Sequence, residues 1–74
     1  MNEYAKVRVL AVENIVRAKG GATVTEILEA LDLRFDIRAK RQTIYQDLRE
    51  IDRIYPLEYT GQAGGHKWRF INGR

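Results

Sequence analysis

Over residues 2–19, Tyr4, Val7, Ala11, Ile15 and Ala18 recur at helical spacing, and Leu10 and Val12 widen that apolar face. Glu3 near the start and Arg17 and Lys19 near the end suit the dipole of a first helix, and Gly20-Gly21 supplies a left-handed stop. Ala22-Thr23-Val24 reads as a short extended piece. Thr25 is then the expected N-cap of a second helix of about two turns, which points Ile27, Leu28 and Leu31 inward and ends near Leu31 or Asp32. Residues 33–39 form a polar connector with two apolar anchors, Phe35 and Ile37.

The clearest pattern lies in residues 40–54, a third helix ended by Pro56. Ile44, Leu48, Ile51 and Tyr55 make one stripe, and Gln42, Gln46, Arg49 and Arg53 make a second with the same spacing. At about 100° per residue the stripes fall on opposite sides, so one side is buried and the other is polar and basic. After Pro56 the period changes to two. Leu57 and Tyr59 alternate with Glu58 and Thr60, and Trp68 and Phe70 alternate with Lys67 and Arg69, on either side of a Gly61–Gly65 turn that includes Ala63 and Gly64. The expected architecture is α+β and mainly α: three helices followed by a C-terminal β-hairpin, as one domain over residues 1–74.

Charge sharpens this picture. The 74 residues carry a net +3. Residues 1–33 hold four basic and five acidic groups, whereas residues 34–53 hold six against four and residues 54–74 three against one. The positive excess thus coincides with the third helix and the hairpin, which suits a polyanionic partner. There is no cysteine and one histidine, so disulfides and thiolate metal sites are excluded, and a reducing, cytoplasmic setting fits. The apolar stretch at residues 7–16 is broken by Arg8, Glu13 and Asn14 and is too short to span a bilayer. No nucleophile–base pair, phosphate loop or ligand cluster points to an enzyme, and no cofactor is expected.

Three helices capped by a hairpin, with a polar, basic face on the third, match the winged helix–turn–helix plan, in which that helix enters the major groove of duplex DNA. Arg41-Gln42-Thr43-Ile44-Tyr45-Gln46-Asp47-Leu48 resembles the R-x-T-I-Y-R-D-L recognition-helix signature of DeoR-type regulators and of the N-terminal domains of WYL-domain regulators. Gly64-Gly65-His66-Lys67-Trp68-Arg69-Phe70 is similar to their wing, and Thr23-Val24-Thr25-Glu26-Ile27 to the start of their second helix. The resemblance spans about Lys6 to Phe70. It departs from the signature at Gln46, where an arginine is usual, and in a longer connector before the third helix. No effector-binding segment follows the wing within these residues, so ligand sensing is not among the expectations.

The resemblance implies sequence-specific DNA binding by a transcriptional regulator that acts by occupying its site. Gln42, Thr43, Gln46 and Arg49 are the expected readers of base edges. Arg38, Lys40, Arg41, Tyr45, Arg53, Lys67 and Arg69 are the expected backbone contacts. A small architectural, excisionase-like DNA-binding protein and a winged-helix protein-interaction module are the alternatives. Asp47, an anion beside a DNA-facing stripe, is expected to be a structural partner of a nearby basic or backbone group. Trp68 is expected in the core and His66 in the turn or wing. A homodimer through helix 1 is also expected, with Val7, Ala11 and Ile15 on one face and Val9, Val12 and Val16 on a spare one.

Overall fold

The computed structural model describes residues 2–62 and 65–71, and Ala63 and Gly64 of the expected turn lie outside them. The elements run α1 (Glu3–Lys19), α2 (Val24–Phe35), α3 (Arg41–Ile54), β1 (Leu57–Gln62) and β2 (Gly65–Phe70). Three helices followed by an antiparallel two-stranded sheet give an α+β, winged-helix-like topology.

Local chemistry explains the boundaries. Asn2 caps α1 by accepting the Ala5 N–H at 2.7 Å. Gly20 ends the helix with φ 67°, a left-handed conformation that suits glycine, and the Gly21 N–H reaches back to the Val16 carbonyl. Gly21 has φ 130°, a conformation side chains rarely adopt, and a Cβ there would also crowd the Cβ of Arg69 at 3.2 Å.

The second helix departs from its sequence reading at both ends. Its N-cap is Thr23, not Thr25. Thr23 Oγ1 accepts the Glu26 N–H at 3.0 Å while the Glu26 carboxylate accepts the Thr23 N–H at 2.9 Å, a reciprocal capping box. The hydrogen bond from the Thr23 N–H outweighs the opposing effect of burial and, with attraction to Lys19 and Lys67, holds the Glu26 carboxyl below its usual range. At the other end α2 runs to Phe35, and Asp36 closes it in the left-handed region at φ 54°. The connector therefore shrinks to residues 36–40. Ile37 anchors it in the core as expected, but Phe35 is exposed.

Ala22, rather than a three-residue strand, supplies the extended piece. It exchanges two backbone hydrogen bonds with Trp68, at 2.9 and 2.8 Å, which ties the sheet to the α1–α2 junction. Strand pairing runs from Leu57↔Phe70 out to Gln62↔Gly65, so Gly61, Gln62 and Gly65, read as turn, are paired. At the helix–sheet junction Asp52 Oδ1 accepts the Leu57 N–H at 2.8 Å.

One core joins all of this. Val12, Ile15 and Val16 of α1, Ile27 and Leu31 of α2, and Ile44, Leu48 and Ile51 of α3 are almost fully buried, with Phe70 closing the sheet side. Each such side chain contributes about 1.5–3 kcal/mol relative to exposure. The Arg17 guanidinium lies 4.1 Å over the Phe70 ring centroid, covering the core from solvent. Trp68 sits at the margin of the core, half-buried and in tilted contact with Tyr59 at 4.5 Å between ring centroids, and Tyr55 is exposed at the end of α3.

Helix 1 corrects the expected seam. Val12 and Val16 are core residues and Val9 packs against the core, so that face is not spare. The exposed large apolar side chains of α1 are Tyr4, Val7 and Leu10. Of the stripe expected to face inward, Ala11 and Ile15 are buried but Tyr4, Val7 and Ala18 are exposed, because α2 and α3 pack on the Ala11–Val12–Ile15–Val16 side.

Candidate functional site

Helix α3 carries the division its sequence implies. Ile44, Leu48 and Ile51 are buried, while Gln42, Gln46, Arg49 and Arg53 are exposed on the opposite side. Arg53 lies 3.2 Å from Glu50, an exposed pair one turn apart of the kind worth little energy. The four side chains thus present amide and guanidinium donors to solvent from one rigid surface.

Two clefts flank that stripe. On one flank, Arg41 and Tyr45 of α3 meet Thr23, Thr25, Tyr59 and His66 around a space of about 200 Å³. Arg41 donates to Thr25 Oγ1, so the first residue of α3 is fastened to the start of α2. His66 is on β2, where it stacks on Tyr59 at 4.8 Å. The hairpin therefore stands beside the first turns of α3. On the other flank, Arg38, Ala39, Lys40 and Thr43 line a larger open cleft of about 540 Å³ together with Arg8 of α1. Thr43, one of the four expected base readers, is half-buried in this cleft and stands apart from the exposed stripe.

The expected backbone contacts divide between these places. Arg38 and Lys40 are brought together beside Thr43, and Arg38 lies 3.5 Å from both Asp32 and Asp36 in exposed pairs. On the hairpin, Lys67 and Arg69 are exposed, but Arg69 donates to Glu58 across the strands. Lys67 is paired in register with Thr60, a neutral neighbour.

Comparisons with protein-family models, with curated proteins and with solved structures find no match.

Asp47 is the informative residue of the site. It is 3% exposed, the one buried charged residue among those described, and it sits at the rim of the apolar stripe of α3. Arg8, 39 residues earlier, donates from Nε to Oδ2 at 2.6 Å and from Nη2 to Oδ1 at 2.9 Å. This two-pronged, charge-assisted pairing raises the Arg8 pKa above its ordinary value, the hydrogen bond to Asp47 outweighing burial. Asp47 does have a basic structural partner, as its position beside the polar stripe required.

Sequence reading of the site passed over Arg8. A signal was present: Arg8 falls four residues before Val12, on the inward side of α1, as Asp47 falls three after Ile44 on the inward side of α3. Opposite charges on two inward faces ask for each other. Among the described residues no group of three or more metal-ligating side chains is gathered, and no helix is long and apolar enough to cross a membrane.

Proposed function

We infer that this chain binds duplex DNA sequence-specifically, as a cytoplasmic transcriptional regulator that occupies its site. The observation that carries the reading is the two-sidedness of α3. Ile44, Leu48 and Ile51 on its apolar side are taken up by the core, and its other side offers Gln42, Gln46 and Arg49 from the same helix. Glutamine pairs with adenine and arginine with guanine through two hydrogen bonds each, at base edges that the major groove exposes. Arg41 and Tyr45 in the cleft beside the hairpin, and Lys67 exposed on the hairpin itself, serve the backbone, with Arg53 at the far end of the stripe.

One module of this size covers about 600–1,000 Å² on DNA, so useful specificity calls for two on neighbouring half-sites. Tyr4, Val7 and Leu10, exposed on α1, are the apolar surface a second copy covers.

The test is fluorescence anisotropy with labelled duplexes across a range of salt. Affinity is expected to fall linearly on a log–log plot, and Lys67→Ala to flatten the slope by about 0.9, one phosphate contact. Binding that does not respond to salt, or a slope unchanged by Lys67→Ala, contradicts this interface.

A further inference from the structure

A helix seated in the major groove has a sugar-phosphate backbone on each flank, because the groove is only about 12 Å wide. In this molecule the hairpin serves one flank. Thr43 and Tyr45, two residues apart, point about 200° apart around α3, so the two clefts lie on opposite flanks of its polar stripe. The flank away from the hairpin must find its cations elsewhere, and Arg8, Arg38 and Lys40 line it.

We propose that Arg8 is a phosphate-binding residue for the DNA strand on that second flank, with Asp47 as the residue that positions it. The inference rests on the DNA-binding reading above and adds a contact from α1, outside both the reading helix and the hairpin.

Arg8 has five N–H donors, of which the pairing with Asp47 uses two, on Nε and Nη2. Three remain, including both on Nη1, and the Arg8 side chain is one wall of the open cleft. A pair that only clamped two helices together would need no opening above it. Here the carboxylate is sealed behind the guanidinium, with side-chain exposures of 4% and 16%, so the anion is hidden while the arginine borders the cleft. Arg38 and Lys40 are exposed on a connector, and Arg38 is shared with two carboxylates at 3.5 Å. Arg8 is different. Two short hydrogen bonds fix the plane of its guanidinium, so little side-chain freedom is lost when a phosphate oxygen docks. The same geometry explains how an aspartate stands beside a DNA-facing stripe without repelling the backbone.

The experiment uses a duplex the protein binds, with single phosphates replaced in turn by uncharged methylphosphonate. Wild-type protein is expected to lose on the order of tenfold in affinity at a position contacted by Arg8, the size of one charge-assisted hydrogen bond. In the paired variant Arg8→Met/Asp47→Leu, whose fold is checked by circular dichroism, that loss disappears while losses at hairpin-side phosphates persist. Arg8→Lys keeps a cation beside Asp47 and serves as a second variant that retains the fold, and there the loss shrinks. A methylphosphonate profile identical in wild type and both variants overturns the proposal and leaves DNA binding standing. Wild-type protein that binds no duplex overturns the DNA reading itself, and this contact with it.

Discussion

Separating Arg8 from Asp47 is the sharpest perturbation of stability available in this fold. A domain of 74 residues has a total stability of roughly 4–11 kcal/mol at the usual 0.05–0.15 kcal/mol per residue. Breaking a fully buried ion pair by removing one partner costs about 3–5 kcal/mol, chiefly from the uncompensated charge left behind. In Arg8→Met the stranded group is Asp47, at 3% exposure, but the 16% exposure of the Arg8 side chain shows that water can approach. The expected cost is therefore about 2–4 kcal/mol, reduced from the fully buried case. In Asp47→Leu the stranded group is Arg8, which can turn into the open cleft, so the cost falls to about 1–2 kcal/mol. The combined variant strands no charge and should lie within about 1 kcal/mol of wild type. Urea denaturation followed by far-UV circular dichroism measures all four proteins, with similar slopes for each. Arg8→Met must be the weakest. If the two single losses simply add in the combined variant to within about 0.5 kcal/mol, the two residues do not interact and this reasoning is refuted.

Other consequences can be checked on the same footing. Phe70→Ala should cost about 3–5 kcal/mol by opening the core beneath Arg17, and a loss below about 1 kcal/mol would mean that the hairpin does not pack on the helices. The Glu26 carboxyl is held below its usual range in the folded protein, so its contribution is present above the ordinary glutamate value and is lost as pH falls through the folded one. Glu26→Gln should flatten the acid limb of the stability–pH curve, and an unchanged limb would show that the capping box does not titrate with folding. Leu10→Glu should leave stability within about 0.5 kcal/mol and convert a sedimenting dimer to a monomer, whereas Val16→Glu, which forces a charge into the core, should unfold the chain. A dimer that survives Leu10→Glu would place the seam elsewhere.

Where the sequence spoke through periodicity it spoke clearly. The opposed stripes of α3 and the change of period at Pro56 were legible because a strongly amphipathic helix and an alternating hairpin leave little room for other structures. Helix 1 was harder, since apolar residues occur around most of its circumference. Periodicity points to Tyr4, Val7, Ala11 and Ile15 together, and only the packing of α2 and α3 keeps Ala11 and Ile15, leaves Tyr4 and Val7 outside, and adds Val16 beside Val12. The bounds of the second helix are not legible in the sequence, because two threonines can serve as caps and no glycine marks the end. Glu26 decides for Thr23, three residues before it, and Asp36 ends the helix in a conformation usually left to glycine or asparagine. The site shows the same division. The exposed stripe followed from spacing along one helix, whereas Arg8 and Asp47 lie 39 residues apart and meet only through the packing of α1 on α3. The clefts likewise depend on where the connector and hairpin come to rest, which no local pattern encodes.

Selection of bound duplexes from a random pool, run in parallel with wild type, Gln42→Ala, Gln46→Ala and Lys67→Ala, tests the central claim most directly. Wild-type protein should enrich a defined consensus. Gln46→Ala should relax the preference at one base position, at a cost of about 1–3 kcal/mol there, because a lost two-bond contact acts on one base pair. Lys67→Ala should return the wild-type consensus with weaker binding throughout, because a phosphate contact carries no sequence information. A pool that never departs from random, or a consensus untouched by Gln46→Ala and by Gln42→Ala, would contradict the reading of α3 as the element that recognises DNA.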